Sequence, residues 1–372
     1  MYYQRSMRGA DQNQGLIYSY VAMERRIRVD HPARKVRVLV DRALKSMDPL
    51  LDTMYASSGR PSIAPERLLR AQLLMILYSI RSERQLMEQL DYNLLFRWFV
   101  GLEMDDAVWD VTVFTKNRER LIAGQASQKL LMAVLDQARK HDLLSEEHFT
   151  VDATLIQAWA SAQSFKDKKN PPGRGGGSGK KGELLLRDKV ESTTDADARL
   201  YKKALADKAI PSYQGHALME NRNGLIVAAE ASRSSNAAER EVGLKMLDGV
   251  IGSKWKRLGK KITLGGDALY QEREFIQGLR DRKVAPHIHQ YVRGNLEMNC
   301  LTNRERNDKR RAISYKKRKQ IEKAFGWNKS DRPLCQVKLR GLMRVDWLYR
   351  LTMVAYDLTR MANLIPVATA LS

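Results

Sequence analysis

From His148 onward the hydrophobic pattern changes period, and the order of elements that follows leaves few folds open. His148 to Ile156 (HFTVDATLI) alternates, with Phe149 and Val151 on one face and Thr150, Asp152 and Thr154 on the other. GHALMEN and LIVAAEAS then flank Arg222-Asn223-Gly224, the composition of a tight β-turn between two strands. A helix over about 237–250 follows, then a short buried strand ending at two glycines (Lys261 to Asp267, KITLGGD). Gln271 to Arg282 reads as a helix and Val284 to His289 as another strand. The next helix starts near Arg310 and runs to Phe325, where Gly326 is expected to end it. The amphipathic stretch Trp347 to Leu364 is expected to pack on the sheet.

Three antiparallel strands followed by alternating helices and strands is the order of a ribonuclease H-like α/β fold, a mixed sheet flanked by helices. Residues 1–147 lack strand patterning and predict an all-helical N-terminal domain. Ala64 to Ile80 places Leu68, Leu69, Leu73, Ile76 and Leu77 at helical spacing behind Pro65, and Ser82 to Gln85 fits a capping box. Helices are also expected over 115–121 and 127–141. Periodicity alone leaves two readings of this part open, a packing or dimerisation unit and a helix-turn-helix DNA reader. Residues 148–372 form the second domain, with a Gly- and Lys-rich stretch over 166–181 read as a loop. That stretch lacks the GxxxxGK[ST] spacing of a nucleotide-binding loop.

Charge restricts the partner. The chain carries a net charge of +22, of which residues 1–148 contribute +3 and residues 149–372 contribute +19. A compact region that basic repels itself unless it meets a polyanion, and nucleic acid is the commonest. No apolar run is long enough for a membrane span, and the N-terminal MYYQRSMRGADQNQ has no signal-peptide core. A cytoplasmic, nucleoid-associated protein is expected. Cys300 and Cys335 fit no metal-binding or disulfide framework.

Three acidic residues stand out in this frame. Asp152 lies on the first strand and Asp267, 115 residues later, ends the fourth; these strands are neighbours in a ribonuclease H-like sheet. Glu322, 55 residues beyond Asp267, lies on the basic helix that follows. On that helix Tyr315, Arg318 and Glu322 fall within about a 60° arc. A Glu in a Lys-rich helix is equally an i,i+4 partner, so spacing alone leaves its role open. Three converging carboxylates suit Mg²⁺ or Mn²⁺, and two such ions roughly 4 Å apart can drive phosphodiester chemistry.

Tyr315, Arg318, Glu322 and Lys329 also match, member by member and spacing by spacing, the Y-(2)-R-(3)-E-(6)-K signature of the insertion-sequence four and five transposases. IEKAFGW, VDATLIQAW, STTDADARLYKK and GHALMENRNGL are similar to that family too. GRPSIAPERLL and LYSIRSERQLMEQLDYNLLFRWFVGL resemble the helical N-terminal domain of its insertion-sequence five group, so the likeness spans roughly residues 55–365. The resemblance implies a bacterial DDE transposase. Its triad would be Asp152, Asp267 and Glu322 with two divalent ions, and Arg318, Lys329 and Tyr315 would contact or position DNA. It also implies terminal inverted repeats and target DNA as partners, and a homodimer. The chain departs from the pattern at Ala268 and Lys323, over 294–314, and in the Gly-rich run 173–179. Two other readings are kept: a metal-dependent nuclease without strand transfer, and a non-catalytic DNA-binding copy. His287 and His289 share a strand face without a third ligand nearby, and Trp327 reads as a packing residue before a base-stacking one.

Overall fold

A computed structural model describes residues 22–55, 62–167, 190–202, 208–255, 261–289, 300–329 and 334–366. Most of the Gly- and Lys-rich stretch 166–181, and residues 294–299 of the loosely matching segment 294–314, lie outside these residues. Lys166 and Asp167, at the start of that stretch, belong to a strand and not to a loop.

The N-terminal part is helical, as its periodicity requires: α1 (Met23–Arg26), α2 (Pro32–Thr53), α3 (Pro65–Leu77), α4 (Glu83–Tyr92), α5 (Leu94–Val100), α6 (Val111–Ala123) and α7 (Ala126–Lys140). Local chemistry sets the boundaries. Pro32 and Pro65 open α2 and α3, where a missing N–H costs nothing. Ser82, Asn93 and Asp110 accept first-turn amides of α4, α5 and α6, and Gly101 at φ 90° ends α5.

The strands are β1 (His148–Gln157), β2 (Phe165–Asp167), β3 (Val190–Ser192), β4 (Arg199–Tyr201), β5 (Ile210–Glu220), β6 (Ile226–Arg233), β7 (Ile262–Gly266) and β8 (Val284–Ile288). The remaining helices are α8 (Ala238–Trp255), α9 (Arg273–Asp281), α10 (Asn303–Arg306), α11 (Arg310–Lys329) and α12 (Leu342–Leu364). The main sheet runs β6-β5-β1-β7-β8, with β4 beside the other end of β5, while β2 and β3 pair apart from it. β1, β5 and β6 are antiparallel; β1, β7 and β8 are parallel. This is the ribonuclease H-like arrangement, an antiparallel three-strand start extended by two parallel strands. Pro286 sits in β8, at the sheet's edge, where a missing N–H costs no ladder bond.

Period-2 alternation divides the core. Phe149, Val151, Leu218, Ile262 and Leu264 face α8 and α9. Tyr213, Ala217 and Ala229 face the other way and join a core containing α11, α12 and the N-terminal helices. The final helix does more than cover the sheet. α12 buries residues around most of its circumference, packing on β6 on one side and on α2, α3 and α7 on the other. Its Asp346 and Asp357 accept the backbone N–H groups of Ala231 (2.7 Å) and Ile226 (2.9 Å), closing the exposed side of edge strand β6. Burial raises the carboxyl pKa of both acids.

Two further expectations change. The β5–β6 connection runs through five residues, Asn221 to Leu225, because the buried Glu220 carboxylate gathers the amides of Arg222, Asn223 and Leu225. Gly224 supplies the left-handed step at φ 72°. The second change is that α11 does not stop at Gly326. Buried Phe325 and Asn328 and the Trp327–Tyr356 edge contact hold it against α12 to Lys329, so packing outweighs the glycine's low propensity.

Gly215 marks the closest approach of α12 to β5. A β-carbon there would lie 2.5 Å from Tyr349 Cε2 and 2.9 Å from Ile156 Cδ1. Gly215→Ala should therefore cost about 2 kcal/mol through overpacking. Urea unfolding checks this, and an unchanged midpoint would contradict the contact.

Candidate active site

β1 and β7 pair in parallel, with His148 opposite Thr263 and Thr150 opposite Gly265. Continuing that register sets Asp152 level with Asp267, one strand spacing apart. β7 ends at Gly266, so the pairing stops just before the two acids and leaves a notch beside β1. Asp267 turns the chain there, its carboxylate accepting the Leu269 amide (2.9 Å) at the head of the short 3₁₀ turn Ala268–Tyr270.

The tandem glycines matter for packing. A β-carbon on Gly265 would sit 3.3 Å from Thr150 Oγ1 and 3.7 Å from Ser314 Cβ; one on Gly266 would meet Ile288 Cδ1 at 2.9 Å. α11 therefore lies close over β7. Ser314 on α11 hydrogen-bonds His287 Nδ1 (2.7 Å), and Asp308 approaches His287 Nε2 (3.4 Å). Buried His287 is thus a tie between β8 and α11. Tyr315 is also anchored, donating to the Ile288 carbonyl (3.1 Å) and accepting from Arg311.

Arg318 is the residue that joins the acids. Its guanidinium lies 3.9 Å from Asp152 Oδ2 and 3.2 Å from Glu322 Oε1. One cationic group thus bridges a carboxylate on the sheet and one on the helix. Asp152 is largely buried and Glu322 half exposed, so their environments differ. Among the described residues, no three His, Cys, Asp or Glu side chains stand close enough to hold an ion as they are. The structure thus brings Asp152 and Asp267 level, and links Glu322 to Asp152 through Arg318, without closing the three into one cage. Lys329 lies at the far end of α11, two turns beyond Glu322. The donor set suits a hard divalent cation: carboxylate oxygens on rigid elements, already attracting a positive group.

Sequence reading missed the acids of STTDADARLYKK. Asp195 is buried and accepts from the Tyr213 hydroxyl (2.7 Å) and the Gly341 amide (3.1 Å). Asp197 accepts the Leu342 amide (2.9 Å) and pairs with Arg233. Together they seat the start of α12 against β5 and β6. Two Asp residues in a polar run gave no periodic signal for this role.

Two buried histidines tie the stability of the sheet to neutral pH. Burial lowers the pKa of His216 from 6.5 to about 3 and that of His287 to about 4. Both are therefore neutral when folded, whereas the unfolded chain takes up their protons as pH falls below 6.5. This stability is fully present above that value and is lost on acidification toward the folded pKa values. From pH 7 to pH 5 the loss should be roughly 2 kcal/mol per histidine. Urea unfolding at both pH values measures it; His216→Asn should remove about half of the loss. Equal stability at the two pH values would contradict the burial argument.

Residues 21–120 match a family described as Transposase domain (DUF772), and residues 144–345 match Transposase DDE domain. No curated protein gives a significant match. Among solved structures the chain is similar to a cryo-EM structure of the piggyBac transposase synaptic complex with hairpin DNA. The identity is 9%, covering 90% of this chain and 76% of that one, with a TM-score of 0.41. It is also similar to the Mos1 mariner paired end complex with Mn, at 14% identity over 82% of this chain and 98% of that one, with a TM-score of 0.21. Likeness of that degree transfers no site to this chain. The DDE match alone takes in more than half of the sequence, and with it the chain belongs to the DDE transposase family.

Proposed function

We propose that this transposase is a bacterial insertion-sequence enzyme of the insertion-sequence five group that nicks transposon ends and joins the freed 3′-OH to target DNA. The observation that carries this reading is the level placement of Asp152 and Asp267, with Arg318 bridging Asp152 to Glu322. Asp152, Asp267 and Glu322 would hold two Mg²⁺ or Mn²⁺ ions, which when bound supply activation of the attacking hydroxyl and neutralisation of the leaving oxygen. Arg318 offers its guanidinium to phosphate, Tyr315 fixes the helix face against β8, and Lys329 extends that face toward DNA. The +19 carried by residues 149–372 supplies general attraction for the backbone.

Residues 1–147 would serve end recognition or assembly and residues 148–372 catalysis, in a homodimer acting on terminal inverted repeats in the cytoplasm at the nucleoid. The shared packing of α12 favours a fixed mutual placement of the two parts. Among the described residues no helix is long and apolar enough to cross a membrane.

The test pairs strand transfer from precut duplex ends with metal-dependent cleavage of uncut ends, both drawn from the repeats flanking the gene. Joined product supports transposition; cleavage without joining points to a nuclease, and binding without cleavage to a non-catalytic copy. Arg318→Ala should lower both turnover and DNA affinity, since it removes a phosphate-seeking cation and leaves Asp152 and Glu322 to repel the backbone. Unchanged gel-shift affinity would remove Arg318 from the DNA contact.

A further inference from the structure

α8 carries a further acid, on the opposite face of the sheet from α11. Its Gly243 lies directly over β1 and the 3₁₀ turn: a β-carbon there would be 3.4 Å from Val151 Cγ2 and 3.6 Å from Tyr270 Cε1. Glu239 is one helical turn earlier, on the same face of α8. Its carboxylate accepts from Gln214 Nε2 (3.4 Å), a residue that pairs with Leu155 of β1. The helix face and the hydrogen bond hold Glu239 over β5 and β1 on the α8 side of the sheet, the side from which Tyr270 enters beyond the end of β7.

Two buried hydroxyls, one on each face of the sheet, lack hydrogen-bond partners. Tyr270 enters from the α8 side and Tyr349 from α12, and both rings are fully buried. Beyond burial, the charges that raise the Tyr270 pKa come first from Glu239, then from Asp152 and Asp267. Asp152 acts likewise on Tyr349. Polar atoms shut away from water rarely stay unsatisfied. A buried phenol in the turn that Asp267 opens fits a polar ligand with its own hydration.

We propose that Glu239 is a fourth acidic ligand of the divalent-cation centre, reaching it from α8 while Glu322 reaches it from α11. This rests on the reading of Asp152 and Asp267 as metal ligands. Binding an ion has to draw the carboxylates together, a demand that falls on Glu239 and Glu322 alike. Glu239 meets it through three rotatable side-chain bonds on a helix fixed by Gly243. Tyr270 then acts as a positioning residue, its hydroxyl free to accept or donate within the group.

The test is Mn²⁺ binding to the full chain, followed by the electron paramagnetic resonance of free Mn²⁺, for wild type, Glu239→Gln and Asp152→Asn. Both substitutions should weaken binding by about tenfold or more. Independently of any variant, Fe²⁺ with ascorbate and peroxide should cut the wild-type chain near residue 239 as well as near 152 and 267. This map decides the matter if Glu239→Gln does not fold. Weakened binding in Asp152→Asn alone, with no cut near 239, overturns the role of Glu239 and leaves the metal centre standing. Unchanged binding in both variants, with no cut at any of the three places, overturns the centre itself and Glu239 with it.

Discussion

Asp152→Asn, Asp267→Asn and Glu322→Gln should each lower cleavage of an end-containing duplex by roughly a thousandfold or more, the scale of losing a group that stabilises charge in a transition state. Each substitution preserves shape while removing an anionic ligand that a hard cation requires. DNA affinity should hold or rise. Asp152→Asn in particular releases Arg318 from one of its two carboxylates, making the guanidinium more available to phosphate. Lys323 follows Glu322, so no adjacent acid on α11 can replace it. Mg²⁺- or Mn²⁺-dependent nicking measured beside gel-shift affinity separates these effects. Substantial cleavage by Glu322→Gln would sink the triad.

Glu220→Ala should be the most damaging of the stability changes considered, at about 4 kcal/mol, or roughly 1 kcal/mol for each of four amides left without an acceptor. Its carboxylate is fully buried and receives Ser145 (3.0 Å), Arg222 (2.9 Å), Asn223 (2.7 Å) and Leu225 (3.1 Å). Ser145 belongs to the link between α7 and β1, so the same side chain fixes the β5–β6 loop and the entry to the sheet. Glu220→Gln should cost less, since it keeps one acceptor oxygen while turning an N–H₂ toward the amides. Urea unfolding of the two variants gives the comparison. A loss below about 1 kcal/mol for Glu220→Ala would mean that water satisfies the loop at little cost.

The order of strands and helices after residue 148 was legible because each element carries its own period, two for β1 and near 3.6 for α11. That order, with the sheet arrangement it implies, placed Asp152 and Asp267 on neighbouring strands. The shared arc of Arg318 and Glu322 was legible from helical geometry and appears as their 3.2 Å pair. α2 carries its own signal in Pro32 and the spacing of Val36, Leu39, Val40, Ala43, Leu44 and Met47, which Pro49 and a polar lead-in obscure.

Other features depend on residues far apart in the chain. The five-residue loop exists because Glu220 reaches amides ahead of it and Ser145 behind it. α11 passes Gly326 because Trp327 meets Tyr356 on α12. α12 serves two layers because β6 and the N-terminal helices bury opposite sides of it. The bridge from Arg318 to Asp152, and the approach of α8 to Tyr270, exist only once α11 and α8 pack on opposite faces of β1. Local sequence determined which elements form and which way their side chains point, since backbone period and capping act over a few residues. Tertiary structure decided which charges meet and where helices end, because those outcomes depend on burial and contact between distant segments that no local period encodes.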